Sequence, residues 1–121
     1  MQGRATQGPG RTAGAPEEIE GWGRFPRAVG RIMRPRAAAE VVPGEGSMIA
    51  RGLGRAYGDS ALGAGTTLEM RGLRRMLGFD AETGVLVAEA GVSLAEIIAA
   101  FLPRGFFPSV TPGTKFVTLG G

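Results

Sequence analysis

The chain contains no cysteine and no histidine. Disulfides, thiolate nucleophiles, imidazole bases and the usual zinc ligand sets are therefore excluded. Any acid, base or metal role falls to Asp, Glu, Tyr, Lys or Arg, and Tyr57 and Lys115 are the only residues of their types. No apolar run approaches the roughly 18 residues that a membrane span needs. The opening stretch MQGRATQGPGRTAGAPEE lacks the apolar segment of a signal peptide. The expected location is thus cytoplasmic, or membrane-associated at the surface.

What is abundant is glycine, 22 of 121 residues, well above the usual share of roughly 7%. It follows no three-residue period, so the excess points to loops and turns rather than to a collagen-like repeat. Hydrophobic residues make up 43%, enough for one small domain with a modest core. The net charge is +3, and half of the 14 basic residues precede Ala37. Such a balance suits nucleic acid, an anionic membrane surface or a pocket for phosphates. An Arg, Ala and Gly bias is equally the mark of a GC-rich genome.

Residues 1–18 read as a disordered tail, with almost nothing to bury up to Pro16. Ordered structure is expected from Ile19. Ala28–Met33 reads as a first strand, Ala37–Val42 as a marginal helix of a turn and a half, and Met48–Ala50 as a short buried strand. Thr66–Met70 alternates like a strand. Leu77–Phe79 and Val85–Ala88 flank the turn composition DAETG and predict a hairpin. Ser93–Leu102 carries the strongest local signal: Ser93 and Glu96 fit a capping box, and Leu94, Ile97, Ile98 and Phe101 form one apolar stripe. Strand and turn signals follow in FFPSVTPGTKFVTLGG. Trp22, Tyr57, Phe106 and Phe107 read as core or edge residues. The whole suggests an α+β module.

One stretch stands apart, IARGLGRAYGDS over Ile49–Ser60. Glycines at 52, 54 and 58 can take positive φ and let another group approach the backbone. Successive N–H groups in such a turn form a concavity that suits anions, and Arg51 and Arg55 could add charge suited to phosphate. The alternative is a glycine-rich corner with two solvated arginines. The spacing fits neither a G-x-G-x-x-G fingerprint nor a Walker A loop. TPGTKFVTLGG, from Thr111, offers a second glycine-rich loop with small donors.

Four stretches, GWGRF, IARGLGRAYGDS, FDAETGVLVAEAGVSLAEII and PGTKFVTLGG, together resemble the N-terminal FAD-binding portion of the vanillyl-alcohol-oxidase family, a PCMH-type flavoprotein domain. Within it they are most similar to the decaprenylphosphoryl-β-D-ribose oxidase branch, over roughly 21–121. The resemblance implies that residues 19–121 form a partial FAD-binding domain, the first α+β subdomain of two that clamp the cofactor. It implies FAD contacts from Ala50, Arg51, Gly52, Leu53, Gly54, Arg55, Ala56, Tyr57, Gly58, Asp59 and Ser60 around the pyrophosphate, with Tyr57 near the flavin. Gly113, Thr118, Leu119, Gly120 and Gly121 would approach the isoalloxazine and the diphosphate. No catalytic residue or metal ligand is expected in this chain.

The implied reaction is FAD-dependent oxidation of a sugar alcohol to a ketone. A lipid-linked sugar would be reached through domains absent from this chain, and nucleic acid is not an expected partner. Two departures from the family stand out. The helix normally found between Pro35 and Met48 is shortened, and the chain stops at Gly121, before the His-containing segment that helps hold the flavin. The chain is thus expected to be incomplete and inactive alone. The competing readings are a non-catalytic basic module for anions or nucleic acid, and a non-functional fragment.

Overall fold

The computed structural model describes residues 15–121. The expected disordered tail up to residue 14 lies outside the described residues. The first strand, β1, is Glu17–Glu20, and it pairs antiparallel with β2, Arg27–Met33. β1 was not expected from the sequence, and it takes in Glu17 and Glu18, which the tail reading covers. Its acidic residues have poor strand propensity. The pairing is instead fixed across the strands, where Arg27 meets Glu18 at 3.0 Å and Glu20 at 3.4 Å.

β3 (Met48–Arg51) and β4 (Thr66–Glu69) complete a four-stranded sheet in the order β1-β2-β4-β3, with β2 and β3 both parallel to β4. Parallel neighbours need crossover connections, and here neither crossover is an α-helix. The first holds only a three-residue 3-10 turn, Ala38–Glu40, in place of the longer helix expected over Ala37–Val42. Pro43 and Gly44 follow at once and stop its growth. The second crossover, from β3 to β4, is the glycine-rich stretch itself. Central β4 buries Thr67 and Leu68, and Ile32, Leu62 and Leu73 are buried with them.

The second half begins with the expected hairpin, β5 (Met76–Asp80) and β6 (Val85–Ala88). Its turn is made by local chemistry. The Asp80 carboxylate accepts from the N–H groups of Glu82 and Thr83 at 2.8 and 3.3 Å, and Gly84 sits at φ 73°. The helix α1, Leu94–Phe101, begins at Ser93 with both halves of the capping box formed. The Ser93 hydroxyl accepts from Glu96 N–H at 3.1 Å, and the Glu96 carboxylate accepts from Ser93 N–H at 2.8 Å. Leu94 and Ile97 are buried around fully buried Val92, with Leu86, Ala88, Phe101 and Val117 packed against them.

Phe79 lies between Phe101 and Phe106, at ring-centroid distances of 4.4 and 4.8 Å. Phe106 is thus a packing residue, as expected. Trp22, Tyr57 and Phe107 are not, being exposed to 49%, 73% and 58%.

The last segment runs back along the start of α1. Leu94 and Ala95 N–H donate to Val117 and Lys115, and Leu119 and Gly120 N–H donate to Val92 and Ala90. Where strand signals were expected, only a single bridge forms, Ser93 with Thr118. Pro108 and Pro112 have no N–H to offer a ladder. Gly91 N–H donates to Leu73 O at 2.7 Å and ties the two halves together.

Candidate cofactor site

β3 delivers its carboxyl end into the crossover loop, and the carboxyl ends of parallel strands are where open sheets form ligand crevices. A cleft of about 310 Å³ opens there. Residues 50–56 form one wall, Thr118, Gly120 and Gly121 another, and Ala61, Met70, Ala90 and Val117 complete it. The two glycine-rich segments, more than 60 residues apart in the chain, therefore face one space.

Two glycines explain the close approach. A Cβ on Gly52 would overlap the Thr118 hydroxyl, so the two walls touch there. Gly54 stands at φ 71°, a conformation that L side chains rarely adopt, and a Cβ on it would lie 2.5 Å from Arg51 Nη2. Along this bend the N–H groups of Gly52, Leu53, Gly54 and Arg55 donate to no backbone or side-chain acceptor among the described residues. Thr118 is only 4% exposed and lines the cleft, yet its hydroxyl has no hydrogen bond among the described residues. The side-chain oxygen that is fully buried without a partner among the described residues is that of Thr67 in β4, outside this lining. A run of amides without protein acceptors, beside a cleft lined by small residues and two arginines, is an arrangement suited to an anionic group.

The arginines do not behave as the sequence suggests. Arg51 donates from Nη2 to Glu20 O at 2.8 Å and from Nη1 to Ala61 O at 3.2 Å. Arg55 donates to Leu53 O at 3.0 Å, and its guanidinium lies 4.3 Å from the Trp22 ring centroid. Both charges line the cleft, and part of their hydrogen-bonding capacity is turned toward the protein, two N–H groups of Arg51 and one of Arg55.

Of the expected site residues, Ala50 to Ala56, Thr118, Gly120 and Gly121 are brought together. Tyr57, Gly58, Asp59 and Ser60 lie on the exposed far side of the loop, and Gly113 lies in an exposed turn. Leu119 lines a separate apolar groove with Phe79, Ile97 and Phe106. Sequence reading missed Ala61, Met70, Ala90 and Val117. They are ordinary small or apolar residues that reach the cleft only through tertiary packing, so no local pattern marks them.

Part of the basic charge is paired with carboxylates. Arg34 bonds Glu17 at 3.0 Å and Glu69 at 2.8 Å, and Arg75 bonds Glu89 at 2.7 Å. These pairs hold the Glu17 and Glu89 carboxyls below the ordinary glutamate range and raise the arginines. No helix among the described residues is long and apolar enough to cross a membrane.

A family model described as an FAD binding domain matches residues 36–121, which contain both walls of the cleft. Decaprenylphosphoryl-beta-D-ribose oxidase of Mycolicibacterium smegmatis is 38% identical over 117 residues, covering 87% of this chain and 25% of that protein. The chain thus spans about a quarter of the length of this curated relative. The solved structure of a solvent-stable cholesterol oxidase superposes with a TM-score of 0.71 at 22% identity, over 88% of this chain and 23% of that one. That likeness places the fold among PCMH-type FAD-binding folds. The free amides, the unpartnered hydroxyl and the close-set glycines fit a dinucleotide's diphosphate, and the chain belongs to the FAD-binding domain family, with FAD as its cofactor.

Proposed function

We propose that this chain supplies the diphosphate-gripping part of the FAD site in a flavin-dependent oxidoreductase acting on a hydroxyl of a lipid-linked sugar. The sugar assignment rests on the 38% identity to decaprenylphosphoryl-beta-D-ribose oxidase. The cofactor assignment to this particular cleft rests on one observation: two distant glycine-rich segments line it together, and the first leaves the amides of Gly52 to Arg55 without an acceptor among the described residues.

FAD, when bound, supplies the two-electron acceptor for alcohol oxidation. The residues here bind and orient. The amides of Gly52 to Arg55 and the Thr118 hydroxyl would receive phosphate oxygens, and Gly52 and Gly54 let the backbone come near. Arg51 and Arg55 stand beside the loop, bonded to backbone carbonyls. Among the described residues, the lining side chains are small or apolar apart from Arg51, Arg55 and Thr118, a set suited to binding and orienting. A volume of about 310 Å³ is at the low end for small-molecule pockets and takes only part of a dinucleotide.

Purifying the chain and recording its flavin absorbance, before and after adding FAD, tests the reading. A protein that carries or takes up flavin supports it. A folded protein that stays colourless in excess FAD contradicts it.

A further inference from the structure

Arg51 ends β3, and its guanidinium reaches two carbonyls that the chain brings together from opposite directions. Glu20 is the last residue of β1, 31 positions earlier, and Ala61 lies ten positions later, where the crossover turns back toward β4. Both bonds come from the terminal nitrogens of one rigid planar group. Gly54 folds over that group at positive φ, with no room for a side chain between them. The crossover is thus wrapped around the Arg51 head as around a post.

We infer that Arg51 is a positioning residue for the cofactor cleft: it fixes the Gly52–Arg55 amides in their concave bend by bracing Glu20 and Ala61, rather than by donating hydrogen bonds to the phosphate. This rests on the reading of the cleft as an FAD site. The argument is geometric. The two carbonyl bonds take one N–H from each terminal nitrogen and so fix the plane of the guanidinium between Glu20 and Ala61. Loss of the head would leave both part-buried carbonyls without this donor. Lysine lacks the two-ended planar head that bridges the two carbonyls here.

The test uses the 121-residue chain with R51Q and R51K. Backbone order parameters from 15N relaxation, measured without cofactor, should fall in R51Q across 52–61 and stay unchanged in α1 and the β5–β6 hairpin. FAD affinity, followed by flavin fluorescence, should weaken tenfold or more in R51Q, with R51K between it and the parent. The salt dependence of FAD binding should be the same in all three, because the charge makes no direct contact. Order parameters in R51Q equal to those of the parent overturn the inference. So does a loss of affinity accompanied by a flatter salt dependence, which marks direct phosphate contact. A parent chain that binds no FAD overturns the cofactor reading of this chain alone, and the brace then stands or falls on the order parameters. Should R51Q not fold, R51K carries the same comparison.

Discussion

Gly52 and Thr118 meet across the cleft so closely that a single added methyl on Gly52 would overlap the Thr118 hydroxyl. One residue lies in the β3–β4 crossover, the other in the segment that runs along α1. Their contact fixes the width of the crevice between the two walls. Overpacking of this kind typically costs about 1–3 kcal/mol. Gly52→Ala should therefore lower the thermal midpoint and weaken FAD binding. Thr118→Ala removes the oxygen in the way, so the double variant should recover stability relative to Gly52→Ala alone. Calorimetry of the four proteins checks this, and strictly additive effects would contradict the contact.

The helix start offers a second test. Ser93→Ala removes the acceptor for Glu96 N–H and should destabilise by about 0.5–2 kcal/mol. Glu96→Gln keeps a side-chain acceptor for Ser93 N–H and should cost less, because glutamine also completes a capping box. Urea unfolding midpoints rank the two, and a larger loss for Glu96→Gln would contradict the box.

Acid should destabilise the fold. Glu96 is held below its ordinary 4.5 by the Ser93 N–H, Glu89 by its Arg75 hydrogen bonds and Glu17 by Arg34. Asp80 is held below 3.8 by the Glu82 N–H. Each depressed group favours its ionised form when folded. Its contribution is therefore complete above the ordinary value and is lost as pH falls through the lower, folded one. The urea midpoint should be level near neutrality and drop below about pH 4.5. The drop should be shallower in Glu96→Gln and, for the exposed ion pairs, smaller at high salt. A midpoint that climbs on acidification would contradict the assignment.

The α1 face that packs against Val92 should matter far more than the exposed Leu102 just past the end of the helix. Ile97 is 7% exposed and Leu102 is 56% exposed. Ile97→Ala should cost about 2–5 kcal/mol, a large part of the stability of a small domain. Leu102→Ala should shift the thermal midpoint little. Comparable losses would mean that the hairpin and α1 do not share a core.

The elements legible in the sequence were those written locally. The Ser93–Glu96 box, the DAETG turn and the Leu94–Ile97 stripe each need only neighbours within a few positions. β1 was not legible, because EEIE forms a strand only by pairing with Arg27–Met33. The site divides the same way. Gly52, Gly54, Thr118 and Gly120 were visible as glycine-rich bends carrying small donors. Arg51 and Arg55 read as phosphate ligands, yet their partners are carbonyls and a ring whose nearness depends on the folded chain. Ala90 and Met70 carried no signal, since only tertiary packing brings them to the cleft.

The central claim is that these two walls grip FAD. A fluorescence titration of FAD with the chain, run beside Gly52→Val and with folding verified by circular dichroism, measures it directly. The account predicts saturable one-to-one binding by the parent chain and at least a tenfold loss in Gly52→Val. A folded parent chain that leaves flavin fluorescence unchanged, or a Gly52→Val chain that binds as tightly as the parent, would contradict it.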